Sequence, residues 1–435
     1  MADADNRNLR TRSPAFCIKR QFSGSDSSMR CRHCGTLLVH RFLDLGFAPP
    51  SNAYLSASDL SRPEVTYPLR LCVCDRCWLV QTEDFASADQ LFCADYAYFS
   101  STSTSWLAHA ARYCARMIDE LSLTSKSHVV EIAANDGYLL KNFVAAEIPC
   151  LGVEPTAGTA AAAESLDIPI IREFFGSELA QQMRGKGQGA DLLIGNNVLA
   201  HVPDINDFCR GLKYLLNPGG TLTLEFPHLL QLLLQVQFDT VYHEHFSYLS
   251  LQTVQRMLAS VGLRVFHVES LATHGGSLRV FACHADEQRP DTLAVADCLY
   301  QEAVAGLHQL NLYLEFQAHV DRVKNSLLSF LLTQYQAGKT VAAYGAAAKG
   351  NTLLNYAGIR PDLLPYVCDA AGSKQGRFMP GSHIPILSPE VLMANPPDFV
   401  LILPWNLADE ISHQLAHLRA AGTRFVVAVP HLEFL

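Results

Sequence analysis

Runs of lysine and arginine are missing from this sequence. Its 33 basic residues are scattered among 42 acidic ones, leaving a formal net charge of −9. A nucleic-acid role therefore has no electrostatic footprint. Long apolar runs are missing as well, the longest falling well below the ~18 residues that would span a bilayer. The opening MADADNRNLRTRSP has no charged-then-apolar leader pattern, and no internal repeat is visible. These absences predict a cytoplasmic protein with neither nucleic acid nor membrane among its partners. Charge is sparse, at 17% of residues against 49% hydrophobic, so most of the chain can bury a core. Its 435 residues are too many for one core and predict two to four domains.

Thirteen cysteines without a leader read as reduced thiols plus a metal site, not as a disulfide framework. Residues 1–28 are polar, Ser/Arg-rich and aperiodic, and read as a disordered tail. Then CRHCG supplies Cys31 and Cys34, and LRLCVCDRCWLVQ supplies Cys72, Cys74 and Cys77. Two C-x-x-C knuckles place four thiolates around zinc, here Cys31, Cys34, Cys74 and Cys77, with no open position for chemistry. Such a zinc is structural, a staple for a small module. Cys72 becomes a strand neighbour pointing elsewhere, and His33 is read as solvated. Free surface thiols are the plainer alternative.

Downstream, ADYAYFSSTSTSWLAHAARYCARMIDEL becomes helical from Trp106, with the Ser/Thr cluster as its cap. Tyr96 and Tyr98 lie just before it, covering a site or packing in a core. HVVEIAANDGYLLKNF then reads as strand, small-residue turn and helix, and CLGVEP as a second strand ending in Glu154. An α/β unit of this kind binds a nucleoside at its strand C-termini, the second strand's acid accepting from the ribose hydroxyls. The turn is not G-x-G-x-x-G. Its Glu131, Ala133, Asn135, Asp136 and Gly137 suit S-adenosylmethionine (SAM), whose cationic methionine end favours a nearby carboxylate. ADLLIGNNVLAHVPD brings Asn196 and Asn197 to the same strand ends, and LNPGGTLTLEFPH supplies a fourth strand ending at Glu225.

FDTVYHEHFSYLS concentrates Tyr242, His243, Glu244, His245 and Tyr248 within seven positions. In an extended segment Tyr242 and Glu244 face one way and His243 and His245 the other, so a turn is needed for them to converge. The plainer reading is an aromatic helix start, with Ser250 as N-cap of SLQTVQRML. His-Glu-His lacks the i, i+4 spacing of helical zinc ligands. VGLRVFHVESLATHGGSLRVFACHA predicts two antiparallel strands. His274 with its two glycines borders a pocket there or forms a plain turn. Residues 286–335 are helical and amphipathic. TVAAYGAAAKGNTLLNYAG then restarts a strand–turn–helix unit, with LLPYVCDAA, DFVLILPW and RFVVAVP as further strands.

In this order, the four-Cys knuckles, VEIAANDGYLL, NNVLAHVPD, YHEHFSYLS, HGGSLRVF and YGAAAKGNTLLN resemble the SAM-dependent deoxysugar C-methyltransferases, over residues 29–435. The N-terminal tail and Cys72 depart from that pattern. The resemblance implies an α/β protein. A small zinc-binding module (29–85) precedes a class I SAM-methyltransferase Rossmann-like domain (86–285). A helical connector (286–335) leads to a smaller Rossmann-like domain (336–435) for the sugar nucleotide. The substrate implied is a nucleotide-linked 4-keto-deoxysugar (a dTDP or another NDP sugar), and SAM and zinc are the cofactors.

A carbon accepts the SAM methyl only once deprotonated α to a carbonyl. The site needs a near-neutral base, donors for the enolate oxygen, and dryness. The resemblance points to Tyr242, Glu244, His245 and, from LAHVPD, His201. His245 becomes the base, Glu244 its orienting acid, and Tyr242 and His201 the enolate donors, with His243 in support. Tyr98 joins the cofactor set with Asn196 and Asn197. Lys349 at a helix N-terminus suits a diphosphate, with Asn351, Lys374, Arg377 and His274 completing the substrate set. A purely structural Lys349 is the other reading. An O- or N-methyltransferase and a non-catalytic SAM or nucleotide-binding protein are the competing function classes.

Overall fold

The computed structural model describes residues 29–85, 100–102 and 104–435. The expected tail (1–28), Tyr96 and Tyr98 lie outside the described residues. Three sheets organise the described residues.

The first is four-stranded: β1 (His40–Ala48), β2 (Tyr67–Val73), β3 (Val80–Thr82) and β9 (Ser247–Tyr248), in that order. Its last strand is the tail of the YHEHFSY segment. Val80 pairs with Tyr248 and Gln81 with Ser247, so a motif 160 and more residues downstream closes the edge of the N-terminal sheet.

The second sheet holds β4 (Val129–Ile132), β5 (Cys150–Val153), β6 (Ile170–Ile171), β7 (Ala190–Asn196), β8 (Leu216–Pro227), β10 (Leu263–Leu271) and β11 (Ser277–His284). Its order is β10-β11-β8-β7-β4-β5-β6, with β11 antiparallel to both neighbours and β4 to β8 parallel. The four residues of β4 are all buried, as a central strand covered on both faces requires. The order reverses at β4, between β5 and β7. That is the switch point where open α/β sheets bind ligands at strand C-termini. A reversed strand between the fifth and last positions is the class I methyltransferase variant of the doubly wound sheet.

The third sheet repeats the plan: β12 (Val341–Tyr344), β13 (Val367–Cys368), β14 (Ile386–Leu387), β15 (Phe399–Ile402), β16 (Arg424–Val427) and β17 (Glu433–Phe434), ordered β14-β13-β12-β15-β16-β17. All but β17 are parallel. Its switch point is at β12, followed by the helix Ala348–Ala357.

Burial divides unevenly. The large sheet has apolar clusters on both faces. A single core joins Phe42 and Leu71 of the first sheet, Leu229 to Val241 before the motif, the helix Phe316–Gln336, and Leu353 and Leu401 of the third unit. The YHEHFSY segment thus sits where three units meet.

Candidate functional site

The four knuckle cysteines converge. Cys31 Sγ lies 3.4 Å from Cys77 Sγ, Cys34 Sγ lies 3.5 Å from Cys74 Sγ, and all four donors are within 4.8 Å of one another. Zn–S bonds of about 2.3 Å in a tetrahedron put sulfurs about 3.8 Å apart, so the cluster fits zinc. Cys72 is buried outside it, its sulfur 4.0 Å from Glu83 Oε1, and burial pushes its thiol up to about 11. His33, expected in solvent, is half-buried and its Nδ1 donates to Asn206 Oδ1 at 2.8 Å.

At the switch point the turn after β4 is held in left-handed backbone at Ala133 (φ 58), Asn135 (φ 50) and Gly137 (φ 76). A Cβ on Gly137 would stand 2.5 Å from Ile168 Cδ1, so only glycine closes the turn there. Glu154 Oε2 accepts from Asn135 N and Oε1 from Thr156 N, both at 2.9 Å. Each oxygen keeps a second lone pair for a hydroxyl. Among the described residues, both Glu131 oxygens, Asp136 Oδ1, Asn196 Oδ1 and Asn197 Oδ1 are buried without partners. Burial, then Glu154 and Asp136, pushes the Glu131 carboxyl well above the usual carboxylate range. Two acids and two amide oxygens left in this state, beside Glu154, fit a ligand that is cationic and rich in donors, as SAM is. Trp106 stands at the rim, its ring centroid 5.9 Å from Tyr138 and 5.1 Å from His274.

The expected turn in YHEHFSY is present: His245 N donates to Tyr242 O at 3.0 Å. It folds the Tyr242 ring to 4.1 Å from His245, with His201 at 4.6 Å and Tyr248 at 5.7 Å. Thr82 Oγ1 donates to His245 O, Arg32 Nε to Phe246 O, and Phe246 N to Ala200 O. The zinc module and the His201 turn therefore grip the motif from two sides. Burial first, then the charges of His201, His274 and Lys349, hold His245 well below its ordinary pKa, while the Thr240 carbonyl favours its protonated form. His245 is a neutral imidazole at neutral pH. Burial likewise holds His201 and His274 at about 4.

Two expected roles change. Glu244 does not orient the His245 ring. Its carboxylate accepts from Ser51 Oγ at 3.0 and 3.1 Å and from Asn52 Nδ2 at 3.3 Å, because the turn throws it toward the N-terminal module. His201 does not suit an enolate donor. Its Nδ1–H donates to Glu244 O at 2.7 Å, and a neutral imidazole has only that one N–H, so Nε2 is an acceptor. His243 stands apart, with Nε2 donating to the Tyr67 and Pro68 carbonyls at 3.3 Å.

On the third unit, Asn351 is buried and spends its amide on Ser51 O at 2.8 Å, so it ties two units together and does not face a substrate. Lys374 Nζ donates to Ala346 O at 2.8 Å and lies 3.6 Å from Asp369 Oδ2, while Arg377 is exposed. Lys349 does not lie open at the helix N-terminus. It is half-buried, its Nζ 2.5 Å from Asn406 Oδ1 and 4.6 Å above the Trp405 ring. His274 (φ 54) meets the SAM side through Asn197, Nδ2 to Nε2 at 3.4 Å.

The sequence reading missed Asp369. It ends β13 as Glu154 ends β5, with its Oδ2 accepting from Ala346 N at 2.7 Å and Oδ1 from Ala371 N at 2.8 Å. In both units the acid takes one amide from the first turn and one from two residues ahead. The strand LLPYVCD, placed after YGAAAKG as CLGVEP is after IAANDG, carried that signal.

Three family models match in chain order: a zinc binding domain over residues 31–92, a methyltransferase domain over 106–268 and a C-methyltransferase C-terminal domain over 272–430. The C-methyltransferase NovU of Streptomyces niveus is 34% identical over 400 residues, 92% of this chain and 95% of the relative. This chain belongs to the C-methyltransferase family. The resemblance read from the motif order is borne out, and the protein is a SAM-dependent C-methyltransferase with a zinc-binding module. Solved structures share less with it. Magnesium protoporphyrin IX methyltransferase from Synechocystis PCC 6803, with bound SAM, is 15% identical (TM-score 0.32, 40% of this chain and 78% of that one). The glycopeptide N-methyltransferase MtfA complexed with SAM is 14% identical (TM-score 0.32, 41% and 93%). Neither likeness bears on the substrate; the fold rests on the strand order. Among the described residues, no helix is long and apolar enough to cross a membrane.

Proposed function

We propose that this C-methyltransferase methylates a carbon α to the 4-keto group of a nucleotide-linked deoxysugar, through an enolate. The observation that carries this is the cluster of Tyr242, His245 and His201, in which the Tyr242 and His201 rings lie 4.1 and 4.6 Å from a buried His245 and burial holds both histidines neutral. An O- or N-methyltransferase needs only one base beside a heteroatom. A carbon acid needs a dry base together with donors for the oxygen that becomes charged.

In this reading Glu154 holds the SAM ribose and Glu131 and Asp136 face its cationic end, with Asn135, Asn196 and Asn197 as polar partners. SAM supplies an electrophilic methyl group. His245 takes the α-proton, Tyr242 donates to the carbonyl oxygen, and His201 fixes the motif backbone through Glu244 O. Asp369 and Lys374 lie toward the nucleotide. Their support is the acid geometry that Asp369 repeats from Glu154, the pattern that a second nucleoside-binding fold would share. Cys31, Cys34, Cys74 and Cys77 hold the zinc.

Methyl transfer from labelled SAM is the test, with a nucleotide-linked 4-keto-6-deoxysugar set against the same sugar reduced at C4. The label is expected on a ring carbon of the keto sugar and nowhere on the reduced one. A methyl found on oxygen or nitrogen, or equal turnover of the reduced sugar, would sink the reading.

A further inference from the structure

Removing His201 as a donor leaves the substrate oxygen with Tyr242 alone, and the chain places a cation nearby that no assigned role yet uses. Lys349 leaves the first turn of the helix Ala348–Ala357 and lies over the Trp405 ring at 4.6 Å. Trp405 Nε1 donates at 2.8 Å to Asp239 Oδ2, in the segment that leads into YHEHFSY. Asp239 is fully buried, and its other oxygen, Oδ1, has no partner among the described residues. The far edge of the Trp405 ring abuts Gly275 so closely that any Cβ there would collide with it. Gln237 Nε2 locks the same loop by donating to Gly275 O at 2.7 Å. Lys349 is thus fixed between the loop that carries His274 and the turn that carries His245.

Among the described residues its hydrogen bonding is also incomplete. An ammonium has three donors, and the bond that the structure gives Lys349 Nζ is the one to Asn406 Oδ1. Its charge is felt by His245, His274 and Asp239, which places it among the proton-handling groups. A diphosphate-binding lysine would share the anion with other cations, yet Lys374 is tied to Ala346 O and Asp369 and Arg377 is exposed.

We propose that Lys349 is a catalytic residue, its ammonium donating to the substrate carbonyl oxygen as that oxygen becomes an enolate, and that Asp239 is its positioning residue through Trp405. The inference rests on the enolate reading above. The α C–H bond breaks and its proton moves to the His245 imidazole. The electron pair is delocalised onto oxygen beside Lys349, then forms the new C–C bond as the methyl–sulfur bond breaks. The carbonyl is restored and His245 releases its proton to water.

The test separates deprotonation from binding. With S-adenosylhomocysteine bound and thymidine-diphospho-4-keto-6-deoxyglucose in deuterated water, NMR follows washout of the α-proton. Calorimetry with thymidine diphosphate alone follows the diphosphate. Lys349→Met is expected to slow washout at saturating sugar by about 100-fold or more, the range for one lost oxyanion donor, while binding thymidine diphosphate as wild type does. Lys349→Arg, which keeps the charge, should recover part of the rate and decides the matter if the Met variant misfolds. Asp239→Asn should slow washout less, with KM unchanged. Wild-type washout in both Lys349 variants would overturn the proposal, as would loss of thymidine diphosphate binding, which would return Lys349 to the diphosphate. No washout in wild type itself would overturn the enolate reading and this role with it.

Discussion

The two halves of the candidate site are built in opposite ways. The SAM half is local: Glu131, Asn135, Asp136 and Glu154 come from one β–turn–α–β unit spanning 24 residues, and both Glu131 oxygens and Asp136 Oδ1 are buried without partners among the described residues. The proton-handling half is assembled from afar. Ser51 reaches Glu244 across 193 positions, Asn351 reaches Ser51 across 300, and Thr82 reaches His245 across 163. Its polar groups are largely spent on one another. The first half is preorganised for a ligand that completes it; the second is preorganised by the rest of the chain. Damage to the zinc module, which touches the second half directly, should therefore strike the halves unequally.

The largest effect expected is from removing zinc. Cys31 is followed by Arg32, which donates to Phe246 O and Thr82 O, and β3 carries β9 on its edge. Losing the metal should release the motif. Cys74→Ser, or chelation, is expected to remove one zinc and to cut methyl transfer by at least ~100-fold, the lower range for a misplaced base. SAM affinity should fall far less, and Cys72→Ser should retain both metal and activity. Zinc content measured beside calorimetric SAM binding checks this. Equal loss of SAM binding and catalysis would show that the two halves are one unit.

Next in size is His245→Asn. It keeps a hydrogen-bonding side chain and removes the titrating group, so turnover should drop by about 10²- to 10⁴-fold. SAM and sugar nucleotide should bind unchanged. Because burial holds His245 well below its ordinary value, it stays neutral in wild type from neutral pH down through its ordinary range, so no acid limb from this group is expected in kcat near pH 6.5. A histidine limb at that pH would place the base in a wetter environment than the structure shows.

Glu154→Ala sharpens the comparison from the other side. It removes an acceptor for the ribose and also frees Asn135 N and Thr156 N. At about 1.5–3 kcal/mol for a hydrogen bond to a charged group, SAM affinity should weaken about tenfold or more. Wash-out of the substrate α-proton at saturating S-adenosylhomocysteine should be untouched. Slower wash-out at saturation would mean that the SAM turn also shapes the base.

What the sequence made legible follows the same division. Period and turn chemistry are short-range, so the strand–turn–helix units, the acid closing β5, the antiparallel pair β10 and β11 and the Ser250 cap (Thr253 N to Oγ at 3.2 Å) could be read in a window of residues. So could the cysteine pairs, whose spacing encodes their geometry. The need for a turn in YHEHFSY also followed from alternation alone. What could not be read was direction. Whether Glu244 faces His245 or Ser51, and whether Lys349 faces a phosphate or Trp405, depends on how three units pack, and no local pattern records that. The same holds for β9, whose two residues are a strand only because β3 offers an edge.

The smallest expected effect comes from the residue whose direction surprised most. Glu244 is buried, and burial pushes its carboxyl above the ordinary value against the pull of Ser51 and Asn52. A carboxyl raised by folding makes the fold less stable as pH rises. Its stabilising contribution is complete below the unfolded value of about 4.3 and is lost as pH rises through the folded value. At pH 8 the wild type has therefore lost stability that it holds in acid. Glu244→Gln keeps an acceptor for Ser51 Oγ and removes the ionisation, so its melting temperature at pH 8 should be higher than wild type by about 1–3 °C. The gap should close near pH 4.5. Thermal melts at both values, with methyl transfer measured on the same samples, check it. A gain in stability with a loss of turnover would mark a carboxylate kept for chemistry and not for the fold. A lower melting temperature at pH 8 would mean that the Ser51 and Asn52 hydrogen bonds outweigh the burial, and that this half of the site is stabilised by the charge it encloses.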